Sequence, residues 1–598
     1  MFLAIQTRTL LMRHTRNKST ITNLPHLYNS LSKTIEPLPP VYDPATGKRR
    51  PLTWYSCGPT VYDDTHLGHA RSYVSTDILR RAMTNFFGYN IYYVLGMTDV
   101  DDKIVNRSNL LGVSAQYLAR KHEREFFEDL EALNCDSPNT ITRVTEHISD
   151  IIQYIQTIID NGNAYELEDG IYFDVSSLGD QYGQQLGSPD SRRINGGNET
   201  NKTNKKDRRD FALWKKINQS QTNGTDGKED DKIVVWESPW GAGRPGWHIE
   251  CSAMTNTVLG KSFDLHSGGI DLCFPHHCNE VAQANAFNQS NEWVSMFLHT
   301  GHLHIDGLKM SKSLKNFITV RQMLEIGDGL HKDGLDKDPD SGSDENENEN
   351  EMTTDLQAVL NGVDVRIAFR MFVLSYHYRS NITYSLDRMR DASVDVKRFT
   401  SFLNTMETYI AAQQQKMFIE VEEEEDNNNQ AVAIIDDRNR KEQHSFFTAL
   451  QNQIDQEIHD ALANDMNTPK VLSILRDMCS KVRIYMKEQN DLGFHVSAEY
   501  VQNACRNVTF TFERLGLELR PTKSISPGMD QNNESPDSEK EVVQAFASFR
   551  ALVRDAARRK ANPGELFQIC DDIRDVVGPK IGWEFVDGGN DDDEVRKR

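Results

Sequence analysis

Two β-rich runs, Arg50–Trp54 and Ile91–Leu95, flank a stretch whose apolar residues recur at helical spacing. Tyr73, Ile78, Leu79, Met83 and Phe86 share one side of that stretch, Ala70–Phe87, and Gly88 ends it. Strand, crossover helix and strand form the unit of a parallel sheet, because a tight turn cannot join parallel neighbours. Such sheets bind ligands at the C-terminal ends of their strands. Here those ends carry Cys57-Gly58-Pro-Thr60, expected as a turn, and Thr98-Asp-Val-Asp-Asp102. The expected fold is therefore α/β, with a Rossmann-like parallel sheet. Helical spacing at Val363–Tyr378, Asp387–Phe418 and Arg440–Met486 makes the second half mainly α-helical. A further helix is expected at about Val542–Arg559, and a further strand at Leu298–Ile305.

Charge at first argues against a polyanionic partner, since the net is −22 over 598 residues. Three runs, Asp333–Glu351, Glu420–Asp426 and Glu584–Glu594, carry −20 of it, which leaves the remainder at −2. These runs contain few apolar residues, so they read as solvated and disordered. Eight scattered Cys do not make a disulfide framework, and a special Cys is then a ligand or nucleophile. The first 35 residues hold no acid, and mix Arg8, Arg13, Arg16, Lys18 and Lys33 with Ser, Thr and Leu. That is the composition of a mitochondrial transit peptide, with a plain disordered extension as the alternative. No run approaches the ~18 apolar residues of a membrane span.

His66-Leu-Gly68-His69 opens the first helix. A helix N-terminus offers free N–H groups and a positive dipole end to phosphate. Gly68 admits a close approach, and both His can bond phosphate oxygens as charge develops. Alone, the string also fits ordinary capping. Lys309-Met310-Ser311-Lys312-Ser313 places two Lys and two hydroxyls on a loop able to clamp a triphosphate; alone, it is a solvated basic loop. Together and in this order the two strings resemble the signatures of the class I aminoacyl-tRNA synthetases, HIGH and KMSKS. Leu67 is the one departure.

Cys57, Cys251, His276 and Glu280 can form a mixed sulfur, nitrogen and oxygen site for zinc. The His276-x₃-Glu280 spacing puts both on one helix face. With Gly241–His248 and Gly268–Leu272, these residues resemble the cysteine–tRNA ligase family. The resemblance implies one Zn²⁺ per chain, held by those four and gripping the thiolate of substrate cysteine. Thiolate prefers zinc far more than a hydroxyl does, so serine is rejected without editing. Cys278 stands where the family usually has an acid, which leaves Cys278 in place of Glu280 as a minority ligand reading. His277 is expected to make a structural or supporting hydrogen bond.

By the same resemblance, ATP with Mg²⁺ is bound at His66, Gly68, His69 and Lys309–Ser313, with His66, His69, Lys309 and Lys312 catalytic. Cys57, Gly58, Thr98 and Trp247 would surround the amino acid, Trp247 having core packing as its plain alternative. The partners implied are L-cysteine, ATP and tRNA(Cys), with no membrane; a monomer is expected. The expected organisation is 1–35 leader or disordered, 36–325 catalytic domain with zinc site and connective insertion, and 326–362 acidic insertion. Then follow 363–390 stem-contact segment, 391–520 helical anticodon-binding domain, and 521–598 helical segment with polar linker and acidic tail. Two rivals are a ligase passing cysteine to an amino sugar and a non-catalytic RNA-binding descendant. The long helical half argues against the first and the intact signatures against the second. The compartment expected is the mitochondrial matrix, alternatively the cytoplasm or both.

Overall fold

The computed structural model describes residues 24–39, 41, 49–183, 186, 204–217, 234–305, 308–309, 318–328, 356–420, 430–519, 583–586 and 594–597. The chain divides into two compact units, Met1–Pro521 and Thr522–Arg598.

The first unit begins with a hairpin, β1 (His26–Asn29) and β2 (Thr34–Pro37). The sheet that organises the molecule then starts with β3 (Leu52–Thr60), α1 (Leu67–Phe87) and β4 (Ile91–Thr98). Next come α2 (Asp102–Leu111), α3 (Ala115–Ala132), β5 (Thr140–Arg143) and α4 (Ile148–Asp160). A four-stranded antiparallel sheet is inserted here: β6 (Ala164–Leu167), β7 (Gly170–Phe173), β8 (Phe211–Lys216) and β9 (Gly243–Pro245). The chain returns through α5 (Trp247–Leu259), β10 (Phe263–Gly269), α6 (Cys278–Asn288) and β11 (Val294–Thr300). Together the strands form a parallel five-stranded sheet, in the order β11-β10-β3-β4-β5.

Along β3, Leu52 and Trp54 join one core, and Tyr55 and Cys57 join another on the opposite face with α4, α5 and α6. Alternation of this kind is what a strand buried on both faces requires. Gly88, at φ 72°, terminates α1 as expected. Cys57–Thr60 is not a turn, however. The strand runs through it with a register irregularity between Cys57 and Thr60, because both residues still pair with β4, opposite Gly96 and Thr98.

Leu298–Ile305 is likewise two strands, not one. The Gly301 N–H donates to Tyr378 O (3.0 Å) and diverts the chain, so β12 (Leu303–Ile305) joins β13 (Leu308–Lys309) and β14 (Ile382–Tyr384) in a separate sheet. Between those last two lie α7 (Val320–Asp328) and α8 (Val365–Leu374). Long helices follow: α9 (Leu386–Glu420), α10 (Gln430–Ala463), α11 (Thr468–Asp491) and α12 (Ala498–Arg514). Arg370 on α8 locks these to the sheet half. It donates to Asp77 Oδ2 (2.6 Å) and Leu515 O (3.0 Å) in the interior, and to Asn134 O (2.6 Å) nearer the surface.

The hairpin lies across the end of the segment expected as a leader or disordered. Asn29 Nδ2 donates to Ser295 O (3.1 Å), and Phe297 N–H donates to Asn29 Oδ1 (3.0 Å), so β1 is bonded to β11. In the second unit, β15 (Trp583–Val586) and β16 (Glu594–Lys597) pair antiparallel. The acidic run expected there as disordered thus has strand at both ends, where Trp583, Phe585, Val586 and Val595 favour it. Residues 1–23, most of the acidic insertion, the run 421–426 and the helix expected at Val542–Arg559 lie outside the described residues. Among the described residues no helix is long and apolar enough to cross a membrane.

Candidate active site and metal centre

A cavity of about 360 Å³ opens at the C-terminal ends of β3, β4 and β10, where a parallel sheet places its ligands. Cys57, Cys251 and His276 line one wall; His66, Gly68 and His69 line another.

Cys57 comes from β3, Cys251 from α5, and Glu280 from the first turn of α6, with His276 just before it. Cys57 Sγ lies 3.8 Å from Cys251 Sγ, 3.4 Å from His276 Nε2 and 3.9 Å from Glu280 Oε1. His276 Nε2 is 2.9 Å from Glu280 Oε1, across one helical turn as the spacing predicts. Ligands about 2.3 Å from a tetrahedral zinc would leave two sulfurs about 3.8 Å apart. The four expected residues therefore fit zinc in donor type, and the two sulfurs fit in spacing, but the donors that all lie within 4.8 Å of one another are Cys57, His276, His277 and Glu280, with His277 in the place expected for Cys251.

In the metal-free site the set splits: Cys251 and Glu280 are pushed toward the charged, deprotonated form, while Cys57 and His276 hold their protons more tightly. The Cys251 thiol is drawn down to about 6 by the hydrogen bond from Cys57, with His276 adding to this against burial. Cys57 itself is pushed up, first by burial and then by Cys251. Burial also opposes the charge on Glu280, but His276 and His266 outweigh it and hold the carboxyl well below its usual range. His276, pulled down by burial, is raised overall by Glu280 and Cys251.

A ring of further histidines orients these groups. His266 Nε2 meets Glu280 Oε2 at 2.7 Å, and His248 Nδ1 meets His276 Nδ1 at 3.0 Å. His277 reaches Cys57 Sγ with Nε2 (3.4 Å) and His299 Nε2 with Nδ1 (2.8 Å). It is thus a fifth donor near the centre, anchored from behind, and Cys57, His276, His277 and Glu280 also form a possible ligand set. Cys278 faces the other way, into a small void shared with Tyr182 and Leu186.

His66 caps α1, its Nδ1 accepting from the His69 N–H (3.2 Å), and the two imidazoles stack 3.7 Å apart. Both therefore sit at the positive end of a 21-residue helix with no acid in its first turn. Arg71, two residues beyond His69, donates to Tyr378 O (2.6 Å) and Ser380 O (3.0 Å) and ties that helix to the segment after α8. Thr98 lines the cavity, and its hydroxyl donates to Glu250 Oε2 (3.3 Å). Asp99 turns away and accepts from the N–H and hydroxyl of Thr145. Gly58 lines the cavity where a Cβ would come within 2.0 Å of Gly96 O. Trp247, 41 % exposed, stacks on His276 at 4.5 Å, a lid position and not core packing. Lys309 closes β13; Met310, Ser311, Lys312 and Ser313 lie outside the described residues.

Sequence reasoning missed His266, His248, His299 and Glu250. His248, Glu250 and His266 stand beside quoted motifs, but only the folded geometry aims them at the ligand set.

The parallel sheet, the histidine turn at its C-terminal edge and the Lys-rich loop define a class I aminoacyl-tRNA synthetase, and residues 45–331 match the tRNA synthetases class I (C) catalytic domain. A cytoplasmic cysteine–tRNA ligase of Dictyostelium discoideum is 35% identical over 91% of this chain and 73% of its own length. A cysteine–tRNA ligase of Encephalitozoon cuniculi is 32% identical over 92% of this chain and 95% of its own length, and a Dictyostelium discoideum relative described as a probable mitochondrial cysteine–tRNA ligase is 31% identical over 90% and 82%. The chain belongs to the cysteine–tRNA ligase family. It is a ligase of tRNA aminoacylation, with tRNA, cysteine and ATP as its partners, so the amino-sugar and non-catalytic alternatives fall away.

Proposed function

We propose that the chain joins L-cysteine to tRNA(Cys) through a cysteinyl adenylate, selecting cysteine by its sulfur. The observation that carries this reading is local. Strand β3 delivers Cys57 to the metal donors and, nine residues later, His66 to the same cavity.

Zn²⁺ held by Cys57, Cys251, His276 and Glu280 would supply a soft Lewis acid for the substrate thiolate, which a serine hydroxyl cannot match. Thr98, fixed by Glu250, is placed to orient the amine or carboxylate of the amino acid, with Gly58 giving room and Trp247 covering it. The substrate carboxylate attacks the α-phosphorus of Mg²⁺-ATP and pyrophosphate leaves. No covalent enzyme intermediate is needed, so positioning and charge stabilisation carry the step. His66 and His69, with the N–H groups around Gly68, hold the phosphates from one side. Lys309 and Lys312 close from the other, with Met310, Ser311 and Ser313 shaping the loop. A ribose hydroxyl of the terminal adenosine, the 2′-OH in this class, then takes the cysteinyl group.

Catalysis is assigned to 36–325 and tRNA contact to 363–390 and the helices of 391–520. For the compartment, relatives of both kinds exist, and the acid-free N-terminus supports the mitochondrial matrix. A removable leader would end before Leu24, since the hairpin beyond it is packed into the fold.

The test is cysteine-dependent ATP–pyrophosphate exchange on the full chain without tRNA, with zinc quantified. Exchange with cysteine but not serine, at one zinc per chain, is expected; Cys57→Ser should lose both. Full zinc and normal exchange in that variant would refute the ligand role.

A further inference from the structure

His122 on α3 is buried with a ring nitrogen that no hydrogen bond satisfies. The residue is 8% exposed, and its Nδ1 has no hydrogen-bond partner among the described residues. Glu125, three residues on and therefore on the same helix face, turns its buried Oε2 to that nitrogen at 3.0 Å. This oxygen has no hydrogen bond either. The two atoms stand at hydrogen-bond distance without hydrogen-bond alignment. Buried polar atoms are nearly always paired, so two such atoms facing each other call for a third group that both can bind.

A further donor arrives from outside the helix. Asp64, in the segment between β3 and α1, brings Oδ1 to 3.5 Å from the same His122 Nδ1. The donor atoms of Asp64, His122 and Glu125 all lie within 4.8 Å of one another. Donors about 2.1–2.2 Å from one ion stand about 3.0 Å apart at a right angle and about 3.5 Å apart at the tetrahedral angle. Both observed separations are of this kind. The Asp64 side chain is half exposed, which leaves a way in and room for water on the remaining positions. Asp64 also lines the wall of the cavity that holds His66, two residues further on.

We propose that Asp64, His122 and Glu125 bind a divalent transition-metal ion that ties α3 to the segment carrying the His66 turn. One imidazole with two carboxylates is a mixed nitrogen and oxygen set of the kind that takes Mn²⁺ or Fe²⁺, whereas thiolates select zinc. The protein alone supplies these donors, so the ion is distinct from the Mg²⁺ that accompanies ATP. The site shares no residue with the zinc centre and does not rest on that assignment. Its plain rival is an ion pair, with a protonated His122 between two carboxylates and no affinity for metal.

The test titrates full-length, zinc-loaded protein with Mn²⁺ in the absence of ATP, reading free Mn²⁺ by electron paramagnetic resonance. Wild type should bind one Mn²⁺ per chain saturably with its zinc content unchanged, and pulsed spectra should show an imidazole nitrogen coupled to the bound ion. His122→Phe should lose that coupling. Both His122→Phe and Glu125→Gln should weaken binding by more than the about 10- to 100-fold that loss of a supporting partner costs. Mn²⁺ should raise the thermal midpoint of wild type and of neither variant. Wild type without saturable binding, or Mn²⁺ held equally well by both variants, would leave only the ion pair and overturn the proposal.

Discussion

Asp129 on α3 is buried between the residue that precedes His66 and the first turn of α7. Its carboxyl receives a hydrogen bond from Thr65, the residue before His66, and lies 3.3 Å from Arg321 Nε on α7, just after the Lys-rich loop. The Val320 N–H also donates to Thr65 O (2.8 Å), so the start of α7 is tied directly to the residue before His66. Burial is the largest influence on Asp129 and raises it to about 6, with Arg321 and Thr65 opposing only in part. In the unfolded chain such a group titrates near 4. A folded value above the unfolded one means that the fold binds the proton more tightly. The resulting stability is fully present below about pH 4 and is lost as pH rises through about 6. Two pKa units correspond to a ceiling of about 3 kcal/mol. Between pH 7.5 and pH 5 the gain should be about 1 kcal/mol. Urea unfolding of wild type and Asp129→Asn at half-unit steps from pH 5 to 8 measures it. The difference between the two proteins should change by that amount, centred near pH 6. Parallel curves for the two proteins would refute the argument.

Other outcomes follow from the same geometry. Lys312→Ala should slow cysteine-dependent pyrophosphate exchange by orders of magnitude with zinc content unchanged; an unaltered exchange rate would remove Lys312 from the mechanism. Cys278→Ser should keep full zinc, because its side chain faces Tyr182 and Leu186, whereas Cys251→Ser should lose most of it by elemental analysis. Arg370→Ala should cost about 2–3 kcal/mol in denaturant, since it removes one of the two arginines paired with buried Asp77 and leaves Arg81 alone, whereas exposed Arg124→Ala should be nearly neutral.

The strand–helix–strand beginning was legible because its signals are local: apolar period, a terminating glycine and a β-rich run. His276 and Glu280 could be paired from sequence because one helical turn joins them. Cys57 and Cys251 lie 194 residues apart, and their meeting at 3.8 Å came from motif resemblance, not from any local rule. Where the reading failed, tertiary pairing overrode turn chemistry. Gly58 and Pro59 look like a turn, yet β4 continues to pair across them to Thr60. Gly301 gave no sign that Tyr378 would capture its N–H and end β11. The histidine ring was invisible for the same reason, since His266 and Glu280 lie on elements related only by packing.

The hairpin at the N-terminus also sets a clock. Tyr28 N–H donates to Asp465 Oδ1 (2.9 Å), a partner 437 residues further along, and the Asp465 N–H donates back to His26 O (2.9 Å). At about 5–20 residues per second, a ribosome makes the second partner roughly 20–90 s after the first. The earliest strand to be synthesised among the described residues is therefore among the last to acquire all its bonds. During that interval it stays open to whatever handles the chain ahead of it. Protease challenge of stalled nascent chains should cut near Tyr28 until residue 465 has left the exit tunnel, and spare it afterwards.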